Sequence, residues 1–500
     1  MSLAYVEPSV SVAETTDPTI SPLLAVSASV CLIGKSAGLI KRTDSITLTG
    51  TTAVTLPGVP TDATMASGSI ISVMDALDPS IAPNGYVSTD DYVYNATNKT
   101  IARASSGSDI PSDNTVYVTY TYTPADYFLP VRMDNMADIQ DRFGNAYNDA
   151  GTAINSPLTY AAGIAFENGA SDVVLQPLFY NNSGTKVQPN DSQAAAVATW
   201  ATNFVALRDI EDINVLVPVV GQSQASVGDA EQLAIIQALQ DHIYFMATQG
   251  QAIMGIAGED ASASNSVAQP TTVQTHADTL RARYGGVVAE NTVVVSPAKF
   301  TRALPALAST LPVGGQYAAA AVAGMLAARA TSQSLTHKAI SGFLSVAQAR
   351  TKTERNVDAS HGLCVIEQRG SIVRIRHGIT LDNTSSVSRE ISIVRAKHRV
   401  IESVRSTMEE QIIGEVATDG DAPSLVKTAV GSVLEALRSD GDIVDYSDPQ
   451  ARTKSNDPTV VEVRFSYRPV IPINYVEIVF SLDLTSQEVD FTDTPSEVDE

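Results

Sequence analysis

The sequence predicts a multidomain α/β (α+β) protein. It would comprise a mixed α/β core, an all-β insertion and a C-terminal α+β domain, completed by extended N- and C-terminal arms. Helix and strand patterns alternate regularly between residues 158 and 296, whereas short period-two strand patterns fill residues 44–132. Two helix patterns and two strong strand patterns then follow. Five hundred residues also exceed what one hydrophobic core usually supports, so several domains are expected.

Residues 1–22 are predicted to form an extended N-terminal arm because three prolines interrupt them and helix formers are scarce. Tyr5 precedes a β-rich stretch in which Val6, Val10 and Val12 share one strand parity. Pro8 cannot donate to a ladder, so such a strand would lie at an edge or pair on one side only. Residues 27–34 then predict a buried strand.

The segment 44–132 is predicted to be an all-β insertion. Thr, Val and Tyr recur at period two, and Asn and Gly occupy the turns between the strands. Val116, Val118, Tyr120 and Tyr122 would form one face of a strand. A surface β-domain is favoured over a carbohydrate-binding role for the tyrosines.

Residues 23–43 and 133–343 are predicted to form the α/β core. Strict alternation of strand and helix implies βαβ crossovers and a parallel or mixed sheet covered on both faces. Asp191 and Asp229 are the predicted N-caps of two of its helices. The predicted elements are helices at 158–167, 192–207, 229–248, 271–284 and 316–329 and strands at 172–178, 214–220, 252–257 and 292–296.

The last of these helices, 316–329, is rich in Ala and Gly and could approach other backbones closely. Pro312, Gly314 and Gly315 are expected to break the chain just before it. No catalytic residue type is well placed in this segment. It is therefore predicted to be a packing element.

Residues 344–485 are predicted to form the C-terminal α+β domain. A hairpin should turn near Arg369 and Gly370, followed by helices at 389–414 and 423–439. Two strands then end the domain: the first alternates Val461, Val463, Phe465 and Tyr467 with polar residues, and the second places Val476, Ile478, Phe480 and Leu482 on one face. Residues 486–500 form an acidic tail without Lys or Arg.

Composition favours self-association. Hydrophobic residues make up 44% of the chain and charged residues only 17%, which leaves much neutral surface for contacts between copies. A net charge of −23 argues against nucleic-acid binding. No apolar run has membrane-spanning length and no secretory signal is present, so direct membrane insertion is not expected. Cys31 and Cys364 are predicted to be buried free thiols.

The sequence predicts no catalytic, metal or cofactor site, because the common catalytic signatures are absent. Residues 254–260, MGIAGED, are the nearest candidate for a phosphate loop, and a plain strand exit is favoured. The six histidines are scattered and are expected to be solvated or interfacial. A face of late basic residues could meet acidic surface on a neighbour, for instance the tail around Glu488 to Asp493, or be an ordinary solvated face with pairs within the chain. These residues are Arg369, Arg374, Arg376, Arg389, Arg395, Lys397, Arg399 and Arg405.

The order of these features resembles that of the contractile tail sheath proteins of bacteriophages. The resemblance covers 27–34 and most of 138–484, with the β insertion as a variable part. It rests on the LIG strand, the Phe143-Gly144 and Asn168-Gly169 turns, the Ala-Gly helix, the segment SQSLTHKAI, and two terminal strands separated by RPVIPINY.

This resemblance implies a structural subunit without enzymatic activity. Such subunits polymerise as stacked hexameric rings, in a helical polymer around a tail tube, and contract to drive the tube through the host envelope during genome delivery. Expected partners are further copies, the tail tube protein, and baseplate and tail terminator proteins. The location would be the virion, after assembly in the host cytoplasm.

Within that family, terminal arms add strands to the sheets of neighbouring subunits. Tyr5, Val6, Val10 and Val12 would form the N-terminal inter-subunit strand, and Val476, Ile478, Phe480 and Leu482 the C-terminal one. The sheath of a phage-derived bacteriocin or other contractile injection system is an alternative. An α/β enzyme using the Gly255 to Asp260 loop or the histidine-rich C-terminal stretch is a distant one.

Overall fold

The computed structural model describes residues 29–37, 40–65, 69–75, 85–210, 213–221, 228–258, 270–304, 310–414 and 422–473. The predicted N-terminal arm, the second C-terminal strand and the acidic tail lie outside these residues.

The described strands and helices are numbered here in chain order. The strands are β1 Val30–Gly34, β2 Ile40–Leu48, β3 Val54–Thr55, β4 Ile70–Met74, β5 Tyr92–Asn95, β6 Thr100–Arg103, β7 Asn114–Tyr122, β8 Val131–Met133, β9 Val173–Pro177, β10 Tyr180–Asn182, β11 Thr185–Val187, β12 Val215–Val219, β13 Met254–Gly258, β14 Thr292–Ser296, β15 Lys299–Ala303, β16 Thr310–Gly314, β17 Cys364–Arg369, β18 Ile372–Ile375, β19 Ile443–Tyr446, β20 Gln450–Lys454, β21 Asp457–Arg464 and β22 Tyr467–Pro469. The helices are α1 Met136–Phe143, α2 Pro157–Glu167, α3 Asp191–Ala195, α4 Val197–Ala206, α5 Asp229–Thr248, α6 Pro270–Ala282, α7 Gly315–Ala327, α8 Lys352–Ser360, α9 Ile391–Gln411 and α10 Ala422–Ser439.

An eight-stranded sheet forms the centre of the molecule, in the order β18-β17-β14-β13-β12-β1-β9-β8. All pairs from β17 to β9 are parallel, and the strands at both ends, β18 and β8, are antiparallel to their neighbours. The prediction of a mixed α/β core is confirmed. Strands β1, β9, β12, β13 and β14 are buried along their whole length, as strands covered on both faces must be.

Each face of this sheet is covered by its own hydrophobic core. Along β1, Val30 and Leu32 point to the core built with α2 and α7, whereas Cys31 and Ile33 point to the core built with α4, α5 and α6. This alternation follows from the period of two in a strand. Cys31 and Cys364 are free and buried, as predicted.

Helix α7 is the packing element that its composition predicts. It is buried from Gly315 to Leu326 and packs against α2. A Cβ at Gly324 would collide with the backbone carbonyl of Ala165 in α2, so a glycine is needed there. The Ala-Gly composition therefore sets the close approach of two helices.

Three local predictions were wrong. The N-caps are Asn190 and Gly228, and Asp191 and Asp229 are the first helical residues, where their charge still favours the helix dipole. The helix predicted at 192–207 is two helices, α3 and α4, because Ala196 adopts an extended conformation. The expected chain break before α7 is instead a strand, β16, which pairs with β15.

The segment following β1 forms antiparallel sheets, as predicted. Strands β2, β7 and β4 form one sheet and β3, β6 and β5 another. Val116, Val118, Tyr120 and Tyr122 all point into the core between them, so the predicted common face is confirmed. The opposite face carries hydroxyl pairs such as Thr43 with Thr119, 2.9 Å apart.

Two helices and two small sheets form the last described part of the chain. Helices α9 and α10 pack against each other, and β19 pairs with β22 while β20 pairs with β21. Their shared core contains Val400, Val430, Leu434, Ile443 and Tyr467. Strands β17 and β18, which the sequence assigned to the C-terminal domain, belong to the central sheet. Among the described residues, no helix is both long and apolar enough to cross a bilayer.

Candidate assembly surface

The eight residues predicted to form inter-subunit strands all lie outside the described part of the chain. The structure instead describes the surface from which the C-terminal strand would leave. This surface is the hairpin β20–β21 together with residues 471–473, and we refer to it as the terminal hairpin surface.

The hairpin β20–β21 lies on α10. Val461 and Val463 pack against the core of the helix pair, whereas Glu462 between them faces outward and binds Arg452 and Arg464. The predicted alternation of apolar and polar residues in this strand is therefore confirmed. Because the side chains of Arg452 and Arg464 are 71% and 72% exposed, these ion pairs contribute little to stability.

The terminal hairpin surface presents unpaired strand edges. Within the described chain, β20 and β21 pair only with each other. A two-stranded sheet has a free row of backbone N–H and C=O groups on each outer side, which is the usual acceptor for an added strand. Ile471 and Ile473, just before the predicted second strand, are 63% and 84% exposed. This surface can therefore bind an extended segment by backbone pairing and apolar contact.

The turns behind the sheath resemblance have a structural role in the core. Gly144 ends α1 with φ 84° and Gly169 follows α2 with φ 103°, a region that favours glycine. Asn168 uses its side chain in both directions: its amide nitrogen donates to the carbonyl oxygen of Ile164 at 2.9 Å, and its amide oxygen accepts from the N–H of Ser341 at 2.9 Å. The Asn-Gly turn thus holds the segment that follows α7.

Most of the late basic residues form contacts within the chain. Arg374 and Arg376 bind Glu367, Lys397 binds Glu290, Arg399 binds Asp442, and Arg405 binds Glu409. Of the two alternatives left open by the sequence, intrachain pairing therefore accounts for these five side chains. Arg369 is exposed and has no ion pair among the described residues.

Arg395 is a special case because it is buried and bonds to backbone. Its Nη2 donates to the carbonyl oxygens of Leu326 at 2.8 Å and Arg329 at 3.1 Å, and Nη1 lies 3.5 Å from that of Ala330. Burial lowers the pKa of Arg395 to about 10. The guanidinium caps the C-terminal end of α7, where carbonyl groups lack helical partners, and joins α7 to α9.

His242 and His398, two of the six histidines, lie in the core. No cluster of three or more potential metal ligands occurs in the described ranges. His242 is buried and stacks on Phe204 with its ring centroid 6.0 Å away, and burial, then the charge of Arg208, lower its pKa to about 4. His398 is also buried, with Nε2 2.8 Å from the side-chain oxygen of Asn291. These are core histidines, not the solvated or interfacial ones expected.

The glycines of the candidate phosphate loop serve packing. A Cβ at Gly255 would meet Leu239 and Ile243 of α5, and a Cβ at Gly258 would collide with the backbone at Gly315. Both glycines thus allow helices to approach β13, and neither is left to cradle a ligand. Residues 259 and 260 lie outside the described chain.

Comparison with known proteins finds tail sheath proteins. Residues 383–482 match the model of the phage tail sheath C-terminal domain. The tail sheath protein of Mycobacterium phage Bxz1 is 29% identical over 411 residues, which are 81% of this chain and 64% of that protein. The tail sheath protein of Bacillus phage SP01 is 25% identical over 165 residues, 32% of this chain and 28% of that one. This chain thus spans less than two thirds of the length of these relatives.

Solved structures show the same fold at low identity. The helical sheath of the anti-feeding prophage in its contracted state has a TM-score of 0.53 at 11% identity, covering 96% of this chain and all of that chain. The sheath complex of the extracellular contractile injection system PVC, also contracted, gives 0.52 at 11%, with 97% and 99% covered. A chain from the contracted anti-feeding prophage baseplate gives 0.54 at 15%, with 72% and 91% covered.

The resemblance predicted from the order of sequence motifs is confirmed by the family model and by the two curated relatives. The matched proteins are structural sheath components and not enzymes, in agreement with the prediction of a non-enzymatic chain.

Proposed function

We propose that this chain is the structural subunit of a contractile tail sheath. Copies would stack as hexameric rings around a tail tube, engage baseplate and terminator proteins, and contract to drive the tube through the host envelope during genome delivery. The observation that carries the proposal is 29% identity to a phage tail sheath protein over 81% of the chain. Assembly would take place in the host cytoplasm, and the finished protein would belong to the virion.

Added strands would join the subunits of this sheath to one another. The terminal hairpin surface offers free strand edges, and residues 474–484 continue directly from it with an apolar strand pattern. Strand addition supplies a continuous row of backbone hydrogen bonds, which can hold while the domains that it joins rotate. Tyr5, Val6, Val10 and Val12 would supply one added strand, and Val476, Ile478, Phe480 and Leu482 the other.

The proposed domains follow the predicted ones with one revised boundary. The arm is 1–22, the core 23–43 and 133–382, the insertion 44–132 and the tail 486–500. Because β17 and β18 extend the central sheet and the family match begins at residue 383, we place the start of the C-terminal domain there rather than at 344. The terminal hairpin surface and both helices α9 and α10 fall within it.

Negative-stain electron microscopy of the full chain expressed alone tests self-assembly. Hollow tubes or six-fold rings are expected. If monomers persist both alone and when co-expressed with the tail tube protein encoded nearby, the sheath proposal is wrong.

Matched charge variants test the N-terminal strand. Val10→Asp with Val12→Asp places two charges on the apolar parity and should abolish polymers while leaving a folded subunit. Ser9→Asp with Ser11→Asp adds the same charge on the opposite parity and should preserve them. Deleting residues 1–20 should act like the first pair, and polymers of normal length from the deletion would contradict a joint at this end.

A bacteriocin-like injection device is the second candidate, because sheaths of such devices share the fold. Genes for a capsid and terminase beside this one would favour a phage tail, and their absence the injection device. The α/β enzyme alternative loses its phosphate-loop argument, since Gly255 and Gly258 are explained by packing.

A further inference from the structure

One face of the β17–β18 hairpin carries a concentration of arginines. Strand parity places Arg369, Arg374 and Arg376 on the same face as Glu367, while Val373 and Ile375 point into the core. A fourth guanidinium, that of Arg355, reaches the face from α8. We call these four arginines the arginine face.

The carboxylate of Glu367 forms ion pairs with three of these arginines. Arg374 donates to Glu367 Oε1 from Nε at 3.0 Å and from Nη2 at 2.8 Å, Arg376 Nη1 lies 3.3 Å from Oε2, and Arg355 Nη1 lies 3.5 Å from it. The side chain of Glu367 is only 4% exposed, whereas the arginine side chains are about a fifth to a quarter exposed. The guanidinium groups therefore keep unused donors at the surface.

The local field is positive although the chain as a whole carries −23. Burial and then the charge of Arg374 lower the pKa of the neighbouring His337, and Arg369 and Arg376 act in the same direction. Glu367 opposes them and is outweighed. Ile372 lies among these arginines at the hairpin turn and is 54% exposed. The face combines unneutralised positive charge with one apolar contact point.

We infer that the arginine face is the docking site for the acidic segment 486–500 of this chain. Six acidic residues and no basic one lie in that segment, interleaved with Val489, Phe491 and Val498. Carboxylates match the planar donor pairs of arginine, and Phe491 among them could cover Ile372. The inference goes beyond the proposed sheath function, because it needs only this segment and this surface.

The test uses a full-length variant of this protein as the receptor for a peptide. In this variant, segment 486–500 can no longer compete with the peptide for the arginine face. Its six acids, Glu488, Asp490, Asp493, Glu497, Asp499 and Glu500, are changed to their amides. Binding of a fluorescent synthetic peptide with the native sequence of 486–500 is then followed by fluorescence anisotropy at low salt. Saturable binding that weakens as salt is added is expected.

Arg369→Glu in this receptor reverses one charge of the face without breaking a described ion pair, and at least tenfold weaker binding is expected. Lys41→Glu makes the same charge change at an exposed position of β2 and should leave binding unchanged. Failure of the peptide to bind, or equal effects of the two variants, overturns the inference. So does equally tight binding of a peptide of the same length that carries six glutamates among glycines and serines, which would make the face a general polyanion site. Ring formation is scored separately, so loss of the sheath proposal would leave this result standing.

Discussion

Gly324 shows how a single residue sets the distance between two elements. Its Cα faces the carbonyl of Ala165 so closely that even a methyl group must push α7 away from α2. Overpacking of this kind costs about 1–3 kcal/mol. We therefore expect Gly324→Ala to lower the midpoint of denaturant unfolding.

Gly431 in α10 provides the matched control, because a Cβ there meets nothing within 4 Å. Gly431→Ala should instead raise helix stability, by up to about 1 kcal/mol. Equal shifts for both variants would mean that close contact with Ala165 is not what requires glycine in α7.

We expect the folding stability of the protein to decrease as pH falls, because His242 is buried in its neutral form. Its folded pKa of about 4 lies below the ordinary value of 6.5, so the unfolded chain binds a proton more readily. The stability that the neutral ring contributes is complete above about pH 6.5 and is lost as pH falls toward 4. By linkage, the free energy of unfolding is lowered by roughly 1–2 kcal/mol near pH 5.

His242→Phe keeps an aromatic ring beside Phe204 and removes the titration. Thermal unfolding of both proteins between pH 7.5 and pH 5 should show a smaller loss for the variant. Parallel losses would assign the acid sensitivity to other groups, of which buried His398 is the first to examine.

At the scale of elements, Arg395 joins α9 to the end of α7. Arg395→Met preserves most of the side-chain length but removes every donor to the carbonyls of Leu326 and Arg329. Leaving buried acceptors unpaired costs roughly 1–3 kcal/mol, so hydrogen exchange in α9 should become faster. Arg405→Met on the same helix breaks an i,i+4 pair with Glu409 and one long hydrogen bond, 3.4 Å, to the carbonyl oxygen of Gly250, and should change exchange less. Similar hydrogen exchange in both variants would contradict the role of Arg395 in joining α9 to the end of α7.

Elements with strong local signals were predictable from sequence. Helix α5 matches its predicted range of 229–248, and α7 begins one residue before and ends two before the prediction. Asn190 and Asp191 are both good capping residues, so the sequence could not tell which one caps α3. Nor could it show the break at Ala196, since no glycine or proline marks it.

Two elements were missed for different reasons, β16 because it depends on pairing with another strand and α8 despite a local signal. Strand β16 contains Pro312, which was interpreted as a breaker, but a proline is tolerated in a two-stranded edge ladder with β15. Helix α8 was missed although Thr351 and Glu354 form a capping box whose spacing is visible in the sequence. Three arginines of the arginine face, Arg369, Arg374 and Arg376, were already candidates for meeting acidic surface, but the contribution of Arg355 was missed because it depends on α8 packing beside β17.

At the scale of the whole molecule, added salt should strengthen polymerisation and weaken docking of segment 486–500 on the arginine face. Copies that each carry −23 repel one another, while the proposed joints are backbone hydrogen bonds and apolar contacts. Raising ionic strength shortens the Debye length from about 30 Å at 0.01 M to about 10 Å at 0.1 M, so polymerisation should become faster and more complete. Light scattering during a salt titration of the purified subunit measures this.

Docking of segment 486–500 on the arginine face is an attraction between opposite charges, so the same titration should weaken it. If both processes weaken together, ion pairs between copies dominate the lattice and strand addition cannot be its main joint. If polymerisation strengthens while peptide binding falls, repulsion between subunits is the barrier to assembly, and the acidic segment contributes to that barrier whenever it is undocked.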